Sequence, residues 1–292
     1  SPSMSEYTQM WLAANKEEKV PDWWAWVSQE NMERMAQGIE GMYPTRFYGD
    51  IFIGNANRLE EMFATRFSYQ HNLSISGATD KSDFRVSAAY ADNQGNLATA
   101  YDGQKQINLR LNYGYQLAKW IRLETGASLV NTDTESPSVG LDYTLYGNDM
   151  PFFPAKNPYG QWYANFGNVG DRQSVAATSD GGRDIKKSLT TRIDMKAIVD
   201  IWNGISFEGM ASFQNEEFRR ERWVTPVQTY DWFGNPAQQL VNSTVTTLNT
   251  TDPSNLAHNN PGYMTAAENY FYQYYSALLK YNKTFADVHN IS

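Results

Sequence analysis

Apolar and polar residues take turns along one segment after another from about Gln70 onward. Leu73 and Ile75 alternate with Asn72, Ser74 and Ser76. Phe84, Val86, Ala88 and Tyr90 alternate with Arg85, Ser87 and Ala89. Ile107, Leu109, Leu111, Tyr113 and Tyr115 interleave with Asn108, Arg110, Asn112 and Gly114, and Ile121, Leu123, Ala127 and Leu129 with Arg122, Glu124, Gly126 and Ser128. Leu189, Ile193, Met195 and Ala197 alternate with Thr190, Arg192, Asp194 and Lys196. Ile205, Phe207, Ala211 and Phe213 do so with Ser206, Glu208 and Ser212. A further segment, Tyr270 to Tyr281, is aromatic on both faces, and another begins near Val288. Successive side chains of a strand point to opposite faces, so this period of two predicts about eight antiparallel strands.

The connections divide by length. Those near 78–82, 117–120, 200–204 and 282–286 are short, whereas those near 93–103, 132–186 and 214–267 are long. Compact soluble domains rarely hold structureless loops of roughly fifty residues. Outer-membrane barrels combine tight turns on one side with long loops on the other. About ten residues at ~3.3 Å each, tilted by ~40°, cover the roughly 25 Å apolar band of such a barrel. Tyr113, Tyr115, Trp120, Trp202, Tyr281 and Phe285 gather at the short turns, as an interfacial girdle does. The fold class read from this pattern is all-β, with antiparallel strands forming part of a large transmembrane β-barrel. Alternation alone also suits a soluble sandwich, in which the apolar side faces a core.

Residues 1–67 read differently. Ser3 with Glu6 forms a capping-box pattern opening a helix to about Asn15. Pro21 precedes the cluster Trp23, Trp24 and Trp26, and Ser28 caps a second short helix ending near Gly38. This stretch is an extracellular excursion with short helices or a small separate domain, and 68–292 is a partial barrel with long loops 132–186 and 214–267.

A net charge of -8 without any basic stripe argues against nucleic-acid binding. The absence of cysteine excludes disulfides, thiol catalysis and Cys-ligated zinc. The mean hydropathy of -0.60 does not count against a barrel, because only every second residue of its strands meets lipid. No apolar run is long enough for a spanning helix. The ends, Ser1-Pro2-Ser3 and His289-Asn290-Ile291-Ser292, read as those of a piece cut from a longer protein.

Loop 132–186 carries Tyr143, Tyr146, Phe152, Phe153, Tyr159, Trp162, Tyr163 and Phe166, and loop 214–267 carries Trp223, Tyr230, Trp232 and Phe233. Flat rings among short polar side chains suit sugars, whose C–H faces stack while hydroxyls hydrogen-bond. Tyr159, Trp162, Tyr163, Trp223, Tyr230 and Trp232 are therefore the candidate substrate contacts, Trp162 and Trp232 foremost. Packing of the loops against one another is the alternative. The lumen-side charges Arg85, Arg110, Arg122, Glu124, Arg192, Asp194, Lys196 and Glu208 either steer a charged solute or pair across strands. Asp171 and the stretch Ser179 to Asp184 offer oxygens to calcium but lack EF-hand spacing. The adjacent pairs Glu17-Glu18, Glu60-Glu61 and Glu216-Glu217 make poor acid–base partners, and His71, His258 and His289 lie far apart. No nucleophile elbow, phosphate loop or dinucleotide fingerprint occurs. The expectation is a protein that is not an enzyme, with no catalytic residues, cofactor or metal.

The stretch Gln70-His71-Asn72-Leu73-Ser74-Ile75-Ser76-Gly77, then Thr79-Asp80-Lys81, carries a resemblance. Phe84 to Tyr90, Asn93-Gln94-Gly95, Ile107 to Asn112 and Lys119-Trp120-Ile121 continue it in order, and Tyr281 to Phe285 with His289 to Ser292 add a further hairpin. Together these resemble the SusC/RagA family of TonB-linked outer-membrane transporters of Bacteroidetes. The resemblance implies a barrel of the outer membrane closed by a plug, a SusD-like surface lipoprotein as lid, and import of oligosaccharides or peptides driven by the TonB complex. The family's TonB box, plug and closing strand have no counterpart in these residues, so transport is expected of the parent protein. Two other functions fit the same pattern: a soluble cell-surface carbohydrate-binding or hydrolytic β-protein, and a structural or adhesive barrel.

Overall fold

The computed structural model describes residues 2–14, 27–46, 49–138, 152–163, 174–241, 244–246, 262–285 and 289–291. Trp23, Trp24, Trp26, Tyr143, Tyr146, Phe166, Asp171, His258 and Val288 lie outside them.

Two helices open the chain, α1 (Met4–Ala14) and α2 (Gln29–Ala36). Both start as their caps dictate. The Ser3 N–H donates to Glu6 Oε2 at 2.9 Å, and the Glu6 N–H donates back to Ser3 Oγ at 3.2 Å. Ser28 Oγ accepts from the Asn31 N–H at 3.3 Å, and Gly38 at φ 75° ends α2 where a side chain would be strained. A hairpin of β1 (Gly41–Thr45) and β2 (Gly49–Ile53) packs against them. Met4, Met32, Met35, Tyr43, Ile51 and Ile53 bury themselves with Phe152, so the N-terminal elements share a core with the loop after the fourth strand of the main sheet. A short helix, α3 (Arg58–Met62), leads out of this unit.

The main sheet has seven antiparallel strands: β3 (Tyr69–Ala78), β4 (Ser82–Gln94), β5 (Gly103–Ala118), β6 (Ile121–Pro137), β7 (Gly182–Trp202), β8 (Ile205–Val224) and β12 (Gly262–Tyr281). Their order is β12-β8-β7-β6-β5-β4-β3, each pairing with its neighbour, and among the described residues the sheet is open rather than closed. Between β8 and β12 lies a small sheet of β9 (Val227–Tyr230), β10 (Pro236–Val241) and β11 (Thr244–Thr246). A last hairpin pairs β13 (Lys283–Phe285) with β14 (His289–Ile291). A short helix, α4 (Ser174–Asp180), precedes β7.

The register turns alternation into rows. Ile75, Val86, Leu111, Ala127, Ile193 and Phe213 form one unbroken line across six strands, and Leu73, Ala88, Leu109 and Leu129 form the line beside it. These side chains are not roofed over. Leu109 is 46%, Leu111 42%, Ile193 47% and Phe207 36% exposed, and no second layer covers them among the described residues. A sandwich would have buried them.

The strands run further than the alternation predicted. The expected loops 132–186 and 214–267 are instead 138–181, between β6 and β7, and 225–261, which contains β9 to β11. The reason lies in the top halves of these strands. From Asn131 to Glu135, Arg183 to Ser188 and Gln214 to Arg222 both faces are mostly polar, so period two vanishes while backbone pairing continues. Twenty residues at ~3.3 Å and a tilt of ~40° rise about 50 Å, roughly twice the apolar band of such barrels. In β6, β7 and β8 the alternating apolar face is confined to the half next to the short turns.

The turn between β7 and β8 shows how the short side is held. Asn203 at φ 48° and Gly204 at φ 89° are the two central residues of a left-handed hairpin turn. The Asn282 N–H donates to the Gly204 carbonyl at 2.7 Å and ties this turn to the end of β12.

Candidate functional site

Aromatic residues at the long-loop end of the sheet assemble a head on top of the wall. Tyr163 is 2% exposed, and its hydroxyl accepts from the Phe52 N–H at 2.8 Å. Burial pushes its phenol well above the usual tyrosine range. Trp232 lies flat on Phe52, with ring centroids 3.6 Å apart and planes at 0°, and meets Tyr163 edge-on at 5.2 Å. Trp162 donates through Nε1 to Asp180 Oδ2 at 2.6 Å, and Lys156 Nζ sits 4.6 Å from its ring centre. Tyr230 belongs to β9, and its N–H donates to the Trp162 carbonyl at 2.8 Å. Trp223, expected in a loop, is a strand residue of β8 between Arg183 and Tyr263. Tyr159 is the exposed one of the six candidates, at 69%.

Tyr159 does not stand alone. Its turn, 157–161, is bound to the turn 231–235: Asn157 Nδ2 donates to the Asp231 carbonyl at 2.9 Å, and the Tyr159 ring lies over Gly234. Phe233, in that second turn, is 63% exposed. Tyr159 and Phe233 thus form an open aromatic surface carried on two interlocked turns, while Tyr163 and Trp232 hold the N-terminal hairpin beneath. Phe233 and Trp232 are adjacent rings of one loop, and nothing local in the sequence says which of the two turns inward. The second turn is shaped by Asp231. Burial pushes this carboxyl up. Hydrogen bonds from the Asn235 side chain and from the backbone N–H groups of Asn235, Phe233 and Gly234 outweigh that and bring it below the usual range.

The stretch considered for calcium is engaged otherwise. Asp180 receives Trp162, and Asp184 takes a two-point contact from Arg220 at 2.8 and 2.5 Å. Gly182, at φ 105°, passes so close to the Trp223 carbonyl that a side chain there would collide with it.

The other feature is the polar face of the sheet. Arg122 on β6 reaches Asp83 on β4 at 2.5 Å and Glu124 at 3.0 Å. Lys196 on β7 lies 3.8 Å from Glu124 and 3.6 Å from Glu208, and Lys280 on β12 meets Glu208 at 2.5 Å. One line of alternating charge therefore crosses from β4 to β12 near the short turns. Each link is partly exposed and weak by itself, but shared partners reduce the entropy cost of each further link. Arg192 pairs with Asp194 along its own strand at 2.8 Å. Arg85 and Arg110 take no part in this network.

No protein-family model and no curated protein matches the chain. Among solved structures, one described as the RagAB peptide importer in its closed-closed state contains a chain of similar fold, with a TM-score of 0.50 and 13% identity over 77% of this chain. A second, described as the RagAB peptide transporter, aligns at a TM-score of 0.47 with 12% identity over 78% of this chain. The match covers 26% of the first of those chains and 31% of the second, so this chain spans between a quarter and a third of their length. The likeness is one of fold: a mostly antiparallel β-sheet with a few short helices, like the barrel wall of that importer.

Proposed function

We propose that the chain forms part of the wall and outer loops of a TonB-dependent outer-membrane transporter. It imports oligosaccharides or peptides together with a SusD-like surface lipoprotein, and it performs no catalysis of its own. One observation carries the reading. The sheet presents unroofed apolar rows on one face and a charged ladder on the other, which is what a wall between lipid and a watery lumen requires. The similarity in fold to a chain of the RagAB importer supports it. The Tyr159–Phe233 surface then lies outside the membrane, where substrate and lid arrive.

The test is extraction of the parent protein from cells. It should sediment with outer membranes, resist salt and carbonate, dissolve in detergent and bring a surface lipoprotein with it. Release by salt alone would end the proposal.

A further inference from the structure

Several cations of the polar face have a carboxylate partner. Arg122, Arg192, Lys196 and Lys280 each stand 2.5–3.8 Å from a carboxylate. Arg85 on β4 and Arg110 on β5 are exposed, and among the described residues neither makes an ion pair or hydrogen bond. Pairing places Arg85 opposite Asn112 and Arg110 opposite Ser87, so the two arginines are diagonal neighbours on one face. Such neighbours lie ~7–8 Å apart, close enough for long side chains to converge. Both line a hollow of about 500 Å³ with Asn72, Ser74, Asn108 and Ser128.

Two guanidiniums side by side repel, and the sheet does not relieve this although the chain has eight more acidic than basic residues (32 against 24). An anion between them would. The guanidinium fork matches a carboxylate through two parallel hydrogen bonds, and the surrounding amides and hydroxyls supply further donors.

We propose that Arg85 and Arg110 form an anion subsite on the lumen wall that receives the carboxylate of a passing solute, whether a uronate of an acidic oligosaccharide or a carboxylate of a peptide. This rests on the polar face being the lumen. The ladder nearer the short turns presents paired, locally neutral charge, whereas Arg85 and Arg110 offer a bare carboxylate two adjacent cations that have no ion pair among the described residues.

The experiment uses the full-length transporter purified in detergent, with titration of oligogalacturonate, oligoglutamate and neutral maltodextrin. Wild type should bind at least one acidic probe more tightly than maltodextrin, with affinity falling as salt rises. The double variant R85Q/R110Q should weaken that binding about tenfold or more and leave maltodextrin unchanged. R85K/R110K, which keeps charge but loses the fork, should fall between. The acidic probe that responds identifies the source of the carboxylate. Equal binding by wild type and R85Q/R110Q, equal loss of the neutral probe, or no preference of wild type for either acidic probe overturns the proposal. Outer-membrane yield and unfolding temperature of the variants separate these outcomes from misfolding. A protein that leaves the outer-membrane fraction altogether defeats the transporter reading instead.

Discussion

Gly114 is the gap through which Arg122 reaches Asp83. The three residues lie on neighbouring strands β5, β6 and β4, and a Cβ at 114 would collide with the guanidinium. The glycine is thus explained by a contact two strands wide rather than by a turn.

Gly114→Ala should displace Arg122 and break the link to Asp83, at a cost of about 1 kcal/mol. Thermal unfolding of the detergent-solubilised protein measures it. In an Arg122→Ala background the same glycine substitution should cost nothing more. Additive losses would mean that Gly114 serves another purpose.

Tyr163→Phe keeps the ring but removes the acceptor of the half-buried Phe52 N–H. Leaving that donor unpaired costs roughly 1–3 kcal/mol. Hydrogen exchange should quicken at Phe52 and along the β1–β2 hairpin while the main sheet stays protected. Trp232→Ala, which removes the stacked ring, should loosen the same hairpin.

Asp231 gives the outer turn a definite pH response. Its folded pKa is depressed, so its contribution is present above the unfolded value of about 3.9 and is lost as pH falls through the lower folded value. Trp232 fluorescence should be flat from neutral pH down to about 5 and change only below about 4. Asp231→Asn should abolish that step. A transition near pH 6 would assign it to another group.

Leu109→Arg places a charge on the unroofed apolar face. In the middle of a bilayer this costs ~2–4 kcal/mol, and outer-membrane levels should drop sharply. Gln106→Arg, on the polar face opposite Ala91 and Thr132, should be tolerated. Equal tolerance of both would show that Leu109 does not meet lipid.

How much could be read in advance depended on where chemistry is local. The caps at Ser3 and Ser28, the Asn203-Gly204 turn and the lower strands are written in nearest neighbours, and the structure has them where spacing put them. The upper strands escaped because polar residues on both faces erase the alternation that marks a strand. Among the candidate contacts, six aromatic positions were identified by type, but their roles diverge: Tyr159 faces out, Trp162 binds Asp180, and Tyr163 disappears under Phe52.

By itself the sequence determined the lower halves of the strands, their two faces and the tight turns, because these follow from the period of the backbone and from φ preferences of single residues. Tertiary structure alone decided which charges find partners and which rings remain open. Those outcomes turn on register across strands and on segments more than a hundred positions apart, such as Phe52 and Tyr163. No local rule carries that information.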